Sequence, residues 1–419
     1  MQRQEGENIG WTLGVESASP IASTGASSTG GSNPYFVSAQ WSADGTTLIA
    51  HSSHQTISSL VLPADLLQSD RSSVRPLEPQ ASFTLPEPTQ AVAVAPFFHL
   101  SEPSSQTVLV GCRDLPLQLY HAFPEEGHAS PLAGYKLIRK ETEQYITPSS
   151  LLWQYPGTHF VCGSADRLDM FDVSRYGSDG PVLTIPTIPS RRHISKGSGV
   201  GMKGTVSALS ASPEGSNGES IIAAGTRTRW MGLYDLNRSD KVVANWDIAP
   251  AEKTFDLELG GRGIVQVAWS PCGRYLLINE RHAKGLLVYD IRGTGQALSV
   301  LKGRLATTQQ RLTCDVFPGD EYGGGGFETW AGTQDGSVLV WENVGMQQGS
   351  CEPSWSWKAH DSPIGSTLIH SSGSVAATCS GGWTHSSGSE EESAAESTSG
   401  IKVLAESSLK VWAVNASEE

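Results

Sequence analysis

Arginine gathers at turns in this chain, and its spacing there suggests anion chemistry. The stretch "AAGTRTRWMGLYDL" (residues 223–236) puts Arg227 and Arg229 in one short turn ahead of an aromatic-aliphatic run. Similar turns read "GCRDLP" with Arg113, "SADRLD" with Arg167, and "NERHAKG" with Arg281, His282 and Lys284. Two longer connections add Arg191, Arg192, Lys196 and Lys203, and then Lys302, Arg304 and Arg311. A guanidinium is a planar fork of donors that matches phosphate oxygens. Trp230, Tyr145, His193 and His282 are interleaved with these cations, and aromatics beside arginine suit folded or single-stranded RNA. The competing reading is that each arginine satisfies nearby carbonyls or pairs with an acid such as Asp114, Asp166 or Glu280. The loop 247–263 also brings four acids towards the same end. Only convergence of several arginines on one face favours the anion surface.

Whether they converge depends on the elements that carry them. Seven short runs share one shape: "TISSLVL" (56–62), "PLQLYHA" (116–122), "RLDMFDV" (167–173), "WMGLYDL" (230–236), "GLLVYDI" (285–291), "SVLVWEN" (337–343) and "SLKVWAV" (408–414). With Leu60, Tyr120, Phe171, Tyr234, Tyr289, Trp341 and Trp412 as equivalent points, the repeat length runs from 51 residues (Tyr120 to Phe171) to 71 (Trp341 to Trp412). Each run follows a second strand that ends in small residues, and several follow a first strand with a polar turn. One such four-stranded unit cannot bury both faces, whereas seven packed radially can. The expected fold is therefore all-β, a seven-bladed β-propeller over residues 34–415; its units resemble WD40 repeats, with the Trp-Asp pair degenerate, which implies a WD40-type β-propeller. In that fold the arginine turns and the entry loops lie on one face. Residues 1–33 form an N-terminal segment, in which 9–15 are expected to supply the outer strand that closes the ring and 22–33 to be a flexible linker.

Composition agrees with short strands and turns: 45 Gly, 12 Trp and 17% charged residues. The net charge of −14 argues against nonspecific nucleic-acid binding by the whole surface, though not against a local basic patch. Six scattered cysteines without a C-x-x-C pair suit free thiols in a reducing compartment. No apolar run reaches the roughly 20 residues of a membrane span, and the N-terminus lacks a signal-peptide core, so a soluble intracellular protein is expected. Zincin, nucleophile-elbow and phosphate-loop patterns are missing; the Gly-rich "GDEYGGGGF" (319–327) reads as a turn. Binding rather than catalysis is expected, with no cofactor or metal. The stretch 384–406 is Ser/Glu-rich at its centre and is expected to be a disordered acidic insert in the last blade. It reads as a tolerated insertion or as a phosphorylatable tract around Ser389 and Ser393.

Several phrases resemble one WD-repeat family, that of the telomerase Cajal body proteins. They are "CRDLPLQLYHAF" (112–123), "AAGTRTRWMGLYDL", "GLLVYDIRGTGQALSVLKG" (285–303), "TTQQRLTCDVFPG" (307–319) and, in the first repeat, "QWSADGTTLIAHSSHQTISSLVLPADL" (40–66). The likeness covers roughly residues 34–414, and its fungal members are linked to small nuclear RNA particles and splicing. It implies a nuclear scaffold for small nuclear or Cajal-body-type RNA and ribonucleoprotein proteins, with no membrane or DNA partner. The WD40 likeness of the units implies structural roles for His360 of "KAHDSPI" and Asp335 of "GTQDGSVLVW", and Trp341 and Trp412 are read as structural as well. The short N-terminal segment and the acidic insert depart from the family, so small nuclear ribonucleoprotein function and splicing are expected ahead of telomerase RNA localisation. The expected RNA-binding residues are Arg113, Arg167, Arg191, Arg192, Arg227, Arg229, Trp230, Arg281, Lys284, Arg304 and Arg311. A purely protein-binding WD40 scaffold is the alternative.

Overall fold

Alternation of apolar residues with a period of two, broken by Gly-, Asp- and Ser-bearing turns, yields antiparallel four-stranded sheets. A computed structural model of the chain arranges seven such sheets as the blades of a propeller, five of them four-stranded and two, blades five and seven, carrying a short fifth strand in parallel. It describes residues 15–25, 34–67, 73–125, 129–139, 141–177, 179–188, 201–215, 220–238, 241–319, 326–385, 401–403 and 406–416. The innermost strands are Phe36–Trp41, Thr89–Val94, Ser150–Trp153, Val206–Ala211, Ile264–Trp269, Cys314–Pro318 and Ile364–Ile369, for blades one to seven.

All seven equivalent residues fall on third strands and are buried, from Leu60, Phe171, Tyr234, Tyr289 and Trp341 at 1% exposed to Trp412 at 4%. Each large side chain there contributes about 2–3 kcal/mol by leaving water. The turn into the third strand also repeats. It places one residue in the left-handed region in six blades: Gln55, Asp114, Asp166, Arg229, His282 and Gly336. Blade joints are stitched by side chains of the inner strands. Gln40 donates to Val92 O at 2.8 Å, joining blades one and two, and Gln266 donates to Cys314 O at 2.7 Å, joining five and six. Asp315 accepts from the Ile369 amide at 2.9 Å and so joins six to seven.

Ring closure uses an N-terminal strand, at a different place from the expected one. Val15–Ser23 runs antiparallel to Leu409–Ala416 as the fourth strand of blade seven, with Pro20 opposite Trp412. Of the expected stretch 9–15, only Val15 is among the described residues. Ala22 and Ser23, assigned to the linker from sequence, belong to this strand, and Ala22 is 1% exposed. Its end pairs in parallel with Arg75–Pro76, so the first blade's exit also grips the last blade. The physical reason is burial: Ile21 and Ala22 complete the core between blades seven and one, whereas the linker's Ser and Gly have nothing to bury.

Blade seven corrects a second expectation. The insert's flanks are ordered: Trp383–His385 pairs with Ile401–Val403. Glu406, at the insert's expected end, accepts from Lys410 at 2.9 Å and lies 3.0 Å from His360 Nδ1. Burial opposes its charge, but His360, the Asp361 amide and Lys410 hold its carboxyl below the usual range. The imidazole then continues inward through Nε2 to Thr378 Oγ1 at 2.7 Å, which accepts from Trp412 Nε1 at 2.8 Å. His360 is 2% exposed, and burial pushes its pKa down. Asp335 accepts from Thr333 and Ser337 in its turn. The centre of the insert, 386–400 with Ser389 and Ser393, lies outside the described residues.

Candidate functional site at the channel mouth

The seven innermost strands enclose a central channel with a cavity of about 310 Å³. Ala39, Leu151, Leu209 and Leu368 give it apolar wall, and Gln40, His51, Gln266 and Asp315 give it polar wall. Burial drives the His51 pKa down to about 4 and that of Asp315 up to about 6.

One mouth of this channel is built from arginines. Arg227 comes from the turn into the third strand of blade four, and Arg281 from the same turn of blade five. Arg262 and Arg311 immediately precede the innermost strands of blades five and six. These four, with Gln90 and Ser149, line a cavity of about 170 Å³. Backbone geometry brings them together. The Arg262 amide donates to Arg281 O at 2.8 Å, and the Arg281 amide donates to Gly263 O at 2.9 Å. Gly263 has φ 114°, and a Cβ there would collide with the Arg227 carbonyl, so only glycine lets blade five's entry lie against Arg227.

Among the described residues no carboxylate pairs with any of the four. Arg227 reaches only Ser149 Oγ, at 3.4 Å. The Nε atoms of Arg281 and Arg311 are buried without a hydrogen-bond partner. Burial, then the charges of Arg281 and Arg227, pull the Arg311 pKa down to about 10; burial and Arg227 lower that of Arg281. Both stay protonated at neutral pH, so two half-buried charges stand together without a carboxylate, while Arg227 and Arg262 beside them are exposed to solvent. Such a site is costly by itself, and an anion entering it relieves both repulsion and desolvation.

The other residues expected from sequence do not join them. Arg167 forks onto Asp169, with Nε at 2.6 Å from Oδ2. Arg229 sits two residues from Arg227 but turns away, to Glu280 at 2.7 Å and to Glu252 at 2.9 Å. Burial opposes its charge, yet the two carboxylates raise its pKa. Arg304 is fully buried and donates to Gly332 O, Asn279 Oδ1 and Leu312 O at 3.0, 2.7 and 2.9 Å. It is a core cross-link between blades five and six, not a surface cation. Arg113 is exposed beside Asp114 at 3.3 Å, and Lys284 is exposed. Trp230 packs half-buried against the core between blades three and four and is not among the residues that line the arginine mouth. Arg191, Arg192, His193 and Lys196 lie outside the described residues.

Sequence reasoning missed Arg262, taken as part of an acid-bearing loop, together with Gln90 and Ser149. A signal was present: "GGRG" before "IVQVAW" places Arg262 as "QQRLT" places Arg311, just ahead of an inner strand. Among the described residues no cluster of His, Cys, Asp or Glu could hold a metal, and no helix is long and apolar enough to cross a membrane.

No family model matches the chain. Guanine nucleotide-binding protein negative regulator 1 of Schizosaccharomyces pombe is 26% identical over 312 residues, covering 74% of this chain and 71% of that protein. Telomerase Cajal body protein 1 of Mesocricetus auratus is 24% identical over 317 residues, covering 75% of this chain but only 52% of the hamster protein. Protein SWT21 of Kluyveromyces lactis is 23% identical over 318 residues, with 75% and 70% covered. The chain is thus a WD-type propeller scaffold that is similar, at distant identity, to telomerase Cajal body protein 1 and the SWT21 proteins.

Proposed function

We propose that this protein is a nuclear, non-enzymatic scaffold that binds small nuclear or Cajal-body-type RNA at the arginine-lined channel mouth. In this reading it supports small nuclear ribonucleoproteins and pre-mRNA splicing, with telomerase RNA localisation as a narrower variant. The observation that carries it is the convergence of Arg227, Arg262, Arg281 and Arg311 without a carboxylate partner among the described residues. Phosphate is the biological anion that a guanidinium cluster fits best. The name of the hamster relative, with its reference to telomerase and the Cajal body, is consistent with ribonucleoprotein work.

Ultraviolet crosslinking in cells, followed by sequencing of attached RNA, tests the reading directly. Small nuclear RNAs should be enriched. With purified protein, contact with about three phosphates gives a log-log salt slope near −2. Background-level crosslinks together with salt-independent binding would leave the second reading, a protein-binding propeller. That alternative draws on the S. pombe relative, whose name describes regulation of a guanine nucleotide-binding protein.

A further inference from the structure

A second cavity, of about 370 Å³, adjoins the arginine mouth and shares Gln90, Ser149 and Arg227 with it. Most of its remaining wall comes from the loop that connects blade two to blade three, with Arg139, Gln144 and Tyr145, and Ala165 and Thr205 complete it. This loop is held in place by its backbone. Ile138 bridges to Tyr145, the Arg139 amide donates to Gln144 O at 2.9 Å, and the Ile146 amide donates to Leu137 O at 2.9 Å. Leu137 and Ile146 anchor it in the core, at 0% and 8% exposed, while Tyr145, between them in the chain, stays 37% exposed. A fixed, half-open aromatic face therefore stands beside two side-chain amides, with a guanidinium on the shared wall.

Building on the RNA-binding reading above, we infer that the two cavities together take one unpaired nucleotide. Its phosphate sits among Arg227, Arg262, Arg281 and Arg311, and its base stacks on Tyr145 within reach of Gln144 and Gln90. Each requirement has a physical basis. An aromatic ring is accessible only to a base already out of its own stack, so a single-stranded loop or end fits and a continuous duplex does not. An amide offers both a donor and an acceptor, which is what a base edge presents. Arg227 lines both cavities, so phosphate and base are held by adjoining walls, as one nucleotide requires. The volume falls in the ordinary range of small-ligand pockets.

The test uses the full chain, fluorescently labelled single-stranded RNA and a duplex of the same sequence, read by anisotropy. Single strands should bind at least about tenfold more tightly than duplex. Tyr145→Ala should weaken single-strand binding by about tenfold, the effect typical of one lost base stack, without changing the salt slope, and Tyr145→Phe should retain affinity. Photocrosslinking of thiouridine-substituted RNA should map to Tyr145. If Tyr145→Ala binds normally while Arg227→Ala weakens binding, the base pocket is wrong and RNA binding stands. Equal affinity for duplex overturns the nucleotide inference as well. If the unaltered protein binds no RNA at all, both readings fall together.

Discussion

The channel mouth and the seam between blades four and five draw arginine from the same six-residue turn and use it in opposite ways. At the seam, Arg229 meets Glu280, which is 2% exposed, and Glu252, and its charge is absorbed. At the mouth, Arg227 meets three further arginines and a serine hydroxyl. Two positions along the chain separate a structural ion pair from an arginine that no carboxylate meets among the described residues. The contrast shows that a basic turn carries information about binding only once its acids are located. A residue in the left-handed region, here Arg229 itself, sends neighbouring side chains to different sides of the turn.

This contrast can be broken by substitution. Arg304→Ala should have the largest effect, because three acceptors lose a charged donor and a cavity opens. A stability loss of about 4 kcal/mol is expected in urea unfolding. Arg229→Ala follows at about 3 kcal/mol, since Glu280 is left buried and unpaired; adding Glu280→Gln should restore part of it. Neither change should alter the salt slope of RNA binding by the fraction that remains folded. Arg281→Ala should do the reverse. Stability stays level or rises by up to about 1 kcal/mol as repulsion is relieved, while RNA affinity falls about tenfold and the slope flattens by about 0.7. A stability loss in Arg281→Ala as large as in Arg229→Ala would erase the distinction between the two regions.

A smaller effect concerns pH and lies inside the channel. His51 is held neutral by burial, with its pKa depressed from 6.5 to about 4. Its contribution to stability is therefore complete above the unfolded value and is lost as pH falls from about 6.5 towards 4, because the unfolded chain takes up the proton first. Thermal melts across that range should show the decline, and His51→Gln should flatten it. Asp315 works the other way. Its pKa is raised to about 6, so its contribution is complete at acid pH and lost as pH rises through 6.

Much of the architecture was readable because it repeats. Tyr120, Phe171, Tyr234, Tyr289, Trp341 and Trp412 mark the third strands by type and alternation alone, and the outer strand of blade four was visible in "VVANWDI". The closing strand was not, since "VESASPIAS" contains Ser and Pro and has weak strand propensity; only pairing against Leu409–Ala416 selects it. The site was half readable. Arg227, Arg281 and Arg311 stand at turns that the repeat assigns to one face, and Arg262 occupies a position equivalent to that of Arg311. Arg304 looked the same as these in sequence, because a guanidinium satisfied by backbone carbonyls leaves no complementary acid to notice.

By itself the amino-acid order determined the number of blades, their strand polarity and the face on which each turn emerges, because alternation and turn chemistry are local properties that each repeat restates. Only the tertiary structure decided which arginines keep a free charge. That depends on carboxylates and carbonyls contributed by other blades, such as Glu280 to Arg229 and Gly332 to Arg304, and no local pattern records where distant blades meet.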